Sequence, residues 1–348
     1  MLAEGLPEAF QLQAEFCRQM GSPTYAEILG RCHDDLRAGG LTAKVMDGWV
    51  GRPVPEAVVL RLAGAVHRLA LCGDAPALAR HYPSCGGAPA FPGAWEAFCG
   101  TVEDNFDYVR RELSRQVQTN EVNRCAALMG GFRHIAARTN SLPLRTLEIG
   151  TSAGLNQNWD RYRYRRNGEH LWGDPGSPVE IGCNWHGAPP ALAVSVTVSS
   201  RAGCDIAPLD ASDDGTALRL QSFIWPDQVS RLETLRAAIE LARRFPPQIV
   251  RATAPDWLAQ ELRTPKSGVA TVVFHSLMWW YMSRAERDEV TAAIDAAGRR
   301  ASADAPLAWL QLEPIDRDKP NLALRLWPGG DETVLASAHG HGSEVWWD

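Results

Sequence analysis

The first part of the chain carries apolar side chains at the spacing of amphipathic helices. In one segment that opens at Pro55, the residues Val58, Leu62 and Val66 recur every three or four positions. Such residues fall on one face of a helix, which a globular protein buries in its core. The pattern predicts an all-helical N-terminal domain over residues 1–140.

From residue 141 the rhythm changes to short apolar runs of strand length that alternate with helical segments. The runs lie at residues 144–149, 194–199, 248–251, 269–275 and 307–312. Residues 322–327 and 333–338 flank a Pro-Gly-Gly-Asp turn and predict an antiparallel C-terminal hairpin. We therefore expect an α/β domain over residues 141–348 with a mostly parallel, Rossmann-like sheet. Ligands of such sheets bind at the carboxyl ends of the strands.

Composition narrows the function. The chain has 35 Lys and Arg against 41 Asp and Glu, a formal net charge of −6, which argues against a nucleic-acid partner. No apolar run approaches the ~20 residues that cross a bilayer, and no signal-peptide pattern opens the chain. The eight cysteines form no C-x-x-C pair, so we predict no metal site. We expect a cytoplasmic protein with a small-molecule substrate.

The stretch L-E-I-G-T-S-A-G-L-N at residues 147–156 has two interpretations. Gly150 to Gly154 match the G-x-S-x-G elbow of a serine hydrolase, with Ser152 as nucleophile and His275 or His339 as its base. Alternatively, the acid Glu148 and the glycines that follow a strand form a cofactor loop. The strand-loop-helix context favours the cofactor loop, because nothing before it resembles an oxyanion loop.

Several stretches resemble one bacterial family, known as domain of unknown function 2332, over nearly the whole chain. They are E-I-G-T-S-A-G-L-N, R-A-G-C-D from Arg201 with Pro208 and Asp210, W-P-D-Q from Trp225, and F-H-S from Phe274. The first-strand motif, the alternating sheet and the terminal hairpin are also similar to class I S-adenosylmethionine-dependent methyltransferases. This resemblance implies a methyltransferase-like fold.

The methyltransferase resemblance implies roles for the loop after the first strand. Glu148, Gly150 and Gly154 would border the methionine part of S-adenosylmethionine, with Ser152 and Asn156 in the same loop. Ser152 stands where those enzymes have the middle glycine of their acid-x-Gly-x-Gly-x-Gly pattern.

Acids after later strands complete the expected cofactor site. An acid after the second strand normally holds the ribose hydroxyls. Because Asp160 falls in the expected first helix, the candidates are Asp205 and Asp210, and the segment before them is then an insertion. Asp256 is a candidate for the adenine amino group, with Trp257 stacked on the ring. A helix start at Pro255-Asp256 is the alternative.

Two further groups are candidates for the acceptor side. His275 ends a predicted strand and is the candidate general base, with Trp279 and Tyr281 in the substrate pocket. The alternative is a hydrogen-bonded histidine in an aromatic core. Arg161 and Arg163 alternate with tyrosines over residues 161–166, which predicts an edge strand or one wall of an anionic-substrate site.

The remaining polar motifs have ordinary structural interpretations. Asn120-Glu121 can reach the pocket, although capping of the following helix is sufficient to explain Asn120. His339-Gly340-His341 is more typical of a glycine-rich loop than of a metal site. Three hypotheses result: methyl transfer from S-adenosylmethionine to a small or medium-sized acceptor, a non-catalytic cofactor-binding protein, and a serine hydrolase that uses Ser152.

Overall fold

The computed structural model describes residues 2–188, 193–314 and 319–347. The α-helices are α1 (Leu6–Gln19), α2 (Pro23–Arg37), α3 (Leu41–Met46), α4 (Val58–Leu71), α5 (Pro76–Ala79), α6 (Phe91–Asp104), α7 (Phe106–Glu112), α8 (Cys125–Arg138), α9 (Asp214–Ser222), α10 (Val229–Arg244), α11 (Ala254–Glu261) and α12 (Arg284–Gly298). The strands are β1 (Leu144–Ile149), β2 (Arg163–Arg166), β3 (Glu169–Gly173), β4 (Glu180–His186), β5 (Val198–Asp205), β6 (Ile249–Arg251), β7 (Ala270–Ser276), β8 (Leu307–Pro314), β9 (Pro320–Trp327), β10 (Glu332–Ala338) and β11 (Glu344–Trp347).

The chain divides into two compact units whose boundaries differ from the predicted ones. One unit comprises Met1–Thr119 and Asp213–Arg236, and the other comprises Asn120–Ser212 and Ala237–Asp348. Helix α8 therefore belongs to the unit that contains the sheet, where Phe132 stacks on Trp159 at 4.1 Å between ring centroids. Helical periodicity shows which face of a helix is buried, but it does not show which core covers that face.

A polar contact in the helical unit shows why the segment after residue 212 belongs there. Asp227 accepts hydrogen bonds from Ser22 Oγ at 2.5 Å and from Thr24 Oγ1 at 2.6 Å. It also accepts one from the backbone N–H of Thr24 at 3.2 Å. Ser22 and Pro23 begin α2, and the carboxylate of Asp227, not the Ser22 side chain, satisfies a free N–H of the first turn.

In its described residues, the other unit contains a sheet of eleven strands in the order β3-β2-β4-β11-β10-β9-β8-β7-β1-β5-β6. β1 is parallel to its neighbours β5 and β7, β5 is parallel to β6, and β7 is parallel to β8. β8 to β11 are successive antiparallel neighbours, so the predicted β9–β10 hairpin is confirmed within a longer antiparallel run. β2 to β4 separate β1 from β5 in sequence yet lie at the far end of the sheet, as expected for an insertion.

Three local predictions need correction. The strand predicted at residues 194–199 is β5, which begins four residues later. Its sequence has no apolar alternation, and small residues such as Gly203 are held in the strand by pairing with β1 and β6. The expected first helix is a seven-residue 3₁₀ segment, Leu155–Arg161, with a kink at Asn158. β2 is not an edge strand, because it pairs with both β3 and β4.

Candidate functional site

Four parallel strands end at the same edge of the sheet. Glu148 in β1 lies opposite Gly203 of β5 and Phe274 of β7, and β7 in turn runs beside β8. The residues at the carboxyl ends of these strands are Glu148, Asp205, His275 and Glu313. The direction in which strands are added reverses between β1 and β7, which is where ligands bind in open α/β sheets.

Glu148 is a buried acid at the end of β1. Its carboxyl group accepts a hydrogen bond from Thr151 Oγ1 and interacts with the Asn156 side chain. Burial raises the pKa of Glu148 to about 8, although the hydrogen bonds from Thr151 and Asn156 oppose the increase. At neutral pH the group is therefore largely protonated, and a cation beside it would favour the carboxylate.

The turn after β1 has left-handed backbone at Gly150 (φ 67°), Ser152 (φ 55°) and Gly154 (φ 70°). A Cβ added at Gly154 would lie 2.6 Å from Pro247 Cβ, and one at Gly150 would lie 2.9 Å from Met278 Cε. Both glycines are thus required by conformation and by close packing. The glycine pattern reflects this turn, whatever the turn binds.

Ser152 contributes its backbone and not its hydroxyl to the structure of the turn. Its N–H donates to Asp205 Oδ2 at 2.8 Å, which ties the turn to the end of β5. Its Oγ is buried and has no hydrogen-bond partner among the described residues. No imidazole is therefore bonded to this hydroxyl, as a serine hydrolase would require. The two proposed bases have other partners. His339 Nδ1 lies 3.0 Å from Ser343 Oγ, and the ring nitrogens of His275 contact Glu313 and Trp309.

Asp205 occupies the position expected of a ribose-binding acid. Its Oδ1 accepts from the N–H of Ala207 at 2.8 Å, so each carboxylate oxygen holds one backbone donor. A carboxylate has about four acceptor sites, which leaves capacity for two hydroxyl groups. Asp210 lies instead in the following loop, where its Oδ1 accepts from the N–H and the hydroxyl of Ser212.

Asn120 and Asn156 form hydrogen bonds around the turn. Asn120 is buried and accepts a hydrogen bond from the N–H of Leu155 at 2.9 Å, so it caps the 3₁₀ segment and not the helix that follows it in sequence. Asn156 Oδ1 accepts from the Cys125 thiol at 3.3 Å, while its side chain also bonds Glu148. Asn156 therefore positions Glu148 from inside the unit.

His275, the candidate general base, lies in an aromatic core. Its Nδ1 is 2.8 Å from Glu313 Oε1, and its Nε2 accepts the indole N–H of Trp309 at 3.2 Å. Because an indole N–H only donates, Nε2 carries the lone pair and Nδ1 carries the proton. The ring is fully buried and stacks on Trp279 at 5.0 Å. Both nitrogens are engaged, as in the alternative interpretation.

Glu313 is the acid that this arrangement orients. Besides the histidine, its Oε1 accepts from the N–H groups of Met278 at 2.9 Å and Trp279 at 3.3 Å. Its Oε2 is buried and has no hydrogen-bond partner among the described residues. Met278 also packs its side chain against Gly150, so a single residue connects the end of β8 to the turn after β1.

The expected substrate and adenine residues lie in different surroundings. Trp279 packs against both His275 and Trp309, whereas Tyr281 is 75% exposed. Trp257 is buried in the apolar core, so its ring is not available to a ligand. Asp256 lies in the first turn of α11 and accepts the Thr253 hydroxyl at 2.7 Å, which is the predicted helix-start alternative.

The two arginines lie apart from this strand edge. The Arg163 guanidinium forms an ion pair with Glu180 at 2.7 Å and donates to the carbonyl of Pro175. Arg161 stacks on Phe245, with its guanidinium carbon 3.9 Å from the ring centroid. The structure therefore brings together Glu148, the turn and Asp205, but does not bring Arg161 or Arg163 to them.

One family model matches residues 7–347, and its description is "Uncharacterized protein conserved in bacteria (DUF2332)". The chain belongs to this family. The match covers both compact units, so the family includes the helical unit as well as the sheet. A search of the curated proteins gives no match to the chain.

Some residues of this family member's strand edge were not identifiable from sequence. Thr151, Met278 and Trp309 carry ordinary side chains, and their importance arises from contacts over long sequence separations. Glu313 offered one signal, because it is an acid at the end of a predicted strand.

The described ranges contain no group of three or more His, Cys, Asp or Glu side chains arranged to hold a metal ion. No helix in these ranges has both the length and the apolar character needed to cross a bilayer.

Proposed function

We propose that the sheet-containing unit binds S-adenosylmethionine at the carboxyl ends of β1, β5 and β6 and transfers its methyl group to a small or medium-sized acceptor. The observation that carries the proposal is the buried acid Glu148 at the end of the first strand. Its pKa of about 8 is that of a carboxyl group without a nearby cation, and an ammonium or sulfonium group would stabilise its ionised form.

The strand order supports a nucleoside ligand at this edge. Counted along the chain, β1, β5, β6, β7 and β8 are the first to fifth parallel strands, and they lie in the order third, second, first, fourth, fifth. Doubly wound nucleotide-binding sheets have this arrangement and bind their ligand where the order reverses. The antiparallel run from β8 to β11 is an addition to that arrangement.

Asp205 and Glu148 supply complementary contacts in this proposal. Asp205 is the last residue of β5, the second parallel strand, and keeps acceptor capacity for ribose hydroxyls. Glu148 faces the cationic methionine part. S-adenosylmethionine supplies an electrophilic methyl group on a cationic sulfur atom. The residues of the chain hold the acceptor and the cofactor in line, and this positioning accounts for most of the rate enhancement.

Glu313 is the group we assign to the acceptor's proton. Three N–H donors fix Oε1, which leaves Oε2 as the oxygen able to accept a further proton or hydrogen bond. His275 orients this carboxylate from within the core. A general base must lie within hydrogen-bond reach of the proton that it removes, and Met278 connects Glu313 to the turn.

Calorimetric titration with S-adenosylmethionine and S-adenosylhomocysteine tests the proposal. We expect the native chain to bind both, and Glu148→Gln and Asp205→Asn to weaken binding at least roughly tenfold, about 1.4 kcal/mol. Asp210→Asn is the matched control, because the Asp210 carboxylate accepts hydrogen bonds from Ser212 in the loop after β5, and this variant should bind like the native chain. Lack of binding of either ligand to the native chain would refute the proposal.

A non-catalytic binding protein is the second candidate, and two observations favour it. Ser152 stands where methyltransferases have the middle glycine of the loop, and the Met278 side chain packs against Gly150 of the same loop. Both reduce the room for a transferring methyl group. Binding of S-adenosylmethionine without methyl transfer to any member of an acceptor panel would favour this candidate.

A further inference from the structure

A separate cavity of about 330 Å³ lies in the sheet-containing unit. Its lining includes Asp160, Arg161, Asp174, Ser177, Arg244 and Phe245. Asp160 bonds Arg201, which lies four residues before Asp205 in β5. Four residues of extended strand separate Arg201 from Asp205 by roughly 13 Å. The cavity is therefore distinct from the proposed cofactor edge. Its volume is at the lower end for small-molecule sites, which suits a ligand the size of an amino acid.

One wall of the cavity is cationic. The guanidinium carbon of Arg161 lies 3.9 Å from the Phe245 ring centroid, and that of Arg244 lies 5.7 Å from the same centroid. Stacking on a ring leaves the edge N–H groups of a guanidinium free to bind a planar oxyanion. Arg161 Nε is buried and has no hydrogen-bond partner among the described residues. Two like charges on one ring favour an anionic ligand between them.

The same cavity contains an acceptor with a free oxygen. Asp160 Oδ2 accepts from Arg201 Nη2 at 2.8 Å, while Oδ1 is buried without a hydrogen-bond partner in the described part of the chain. A buried polar atom left without a partner destabilises the folded chain, because it has lost its hydrogen bonds to water. An ammonium group that donates to Oδ1 would remove this cost. Asp174 is an exposed second acid of the lining.

We propose that this cavity binds a small α-amino carboxylate in its zwitterionic form. The ligand's carboxylate pairs with Arg161 and Arg244, and its ammonium group donates to Asp160. The free donor and the free acceptor are thus satisfied by one molecule that carries both charges. This site does not depend on the proposed methyl transfer.

Calorimetry with L-alanine, L-glutamate and L-phenylalanine tests the site, with propionate and ethylamine as controls that carry one charge each. We expect saturable binding of at least one amino acid at concentrations up to about 10 mM, and at least roughly tenfold weaker binding of both controls. Absence of saturable binding of all three amino acids would overturn the proposal. Equal affinity for propionate would also overturn it, because the site would then recognise only an anion.

Two neighbouring arginines provide a matched pair of variants. Arg244→Gln should weaken amino-acid binding roughly tenfold or more. Arg243→Gln should leave it unchanged, because Arg243 pairs with Glu240 at 2.8 Å on the same helix and is not part of the lining. Equal losses in both variants would overturn the assignment. Binding of S-adenosylmethionine should be the same in Arg244→Gln as in the native chain, which separates this test from that of the methyltransferase proposal.

Discussion

His275 and Glu313 are joined by a hydrogen bond of 2.8 Å between Nδ1 and Oε1, deep in the sheet-containing unit. The histidine comes from β7 and the glutamate from β8, and Trp309 of β8 donates to the other ring nitrogen. The imidazole is thereby held in one tautomer, and the carboxylate is held with one oxygen engaged and one oxygen available. Of the two residues, only the glutamate keeps an atom that can accept a further hydrogen bond.

Trp309→Phe tests the tautomer of His275. The substitution removes the N–H that donates to Nε2 and leaves a buried acceptor unsatisfied, so we expect a loss of about 1–3 kcal/mol in the free energy of unfolding. Denaturant unfolding measures the loss, and Trp280→Phe, at an exposed position, should change stability little. In the native chain, ¹⁵N chemical shifts should show a proton on Nδ1. A proton on Nε2 at neutral pH would contradict the arrangement.

Glu148 should make the unfolding free energy fall as pH rises. Its folded-state pKa of about 8 lies above the ordinary value of 4.5, so the folded chain holds the extra proton between these values. Stability should then fall with a slope of up to about 1.4 kcal/mol per pH unit across this window and level off above it. Hydrogen exchange of the β1 amides measures the trend.

Glu148→Gln should flatten that slope, because the amide does not titrate. Exposed Glu240→Gln is the control and should keep the native slope. An unchanged slope in Glu148→Gln would show that other groups cause the pH dependence. If a cationic ligand binds at Glu148, its affinity should rise with pH through about 8, because the carboxyl group must ionise.

Ser152→Gly should stabilise the turn after β1. The serine adopts φ 55°, which costs a residue with a side chain about 1–2 kcal/mol, and its buried hydroxyl has no described partner. Glycine removes both penalties, whereas Ser152→Ala removes only the hydroxyl. We expect the thermal midpoint to be highest for the glycine variant, lower for the alanine variant and lowest for the native chain. Equal midpoints for the two variants would show that the backbone strain is negligible. The glycine variant should also bind S-adenosylmethionine more tightly.

His67 should make the helical unit sensitive to acid. It is fully buried between contacts to the Ser222 carbonyl at 3.0 Å and Ser84 Oγ at 2.8 Å. Burial lowers its pKa to about 4, so the unfolded chain takes up a proton between about 4 and 6.5 that the folded chain does not. Stability is therefore present above pH 6.5 and declines as pH falls towards 4.

Hydrogen exchange of the α4 amides follows this decline, since His67 lies in α4. His67→Gln carries no titrating group, and its exchange rates should depend less on pH in the same window. If the α4 amides of the native chain are equally protected at pH 4 and pH 7, the proposed coupling is absent.

Local chemistry predicted much of the strand edge. The turn needs Gly150 and Gly154 because both adopt positive φ beside packed neighbours, and this requirement leaves a visible pattern in the sequence. Asp205 and Asp210 were both candidates for the ribose-binding acid, and that role stays a prediction. The sequence alone did not show which of these two acids ends β5, because the bounds of β5 depend on its pairing with β1.

The apolar and glycine patterns by themselves determined that helices precede an alternating sheet, that a loop follows its first strand, and that a hairpin lies near its end. These features depend on neighbours within a few residues, so their signal is local. Only tertiary structure decided that β2 to β4 join the far end of the sheet, that Asp227 caps α2, and that the nitrogens of His275 are occupied. Each depends on partners distant in sequence, whose pairing no local pattern records.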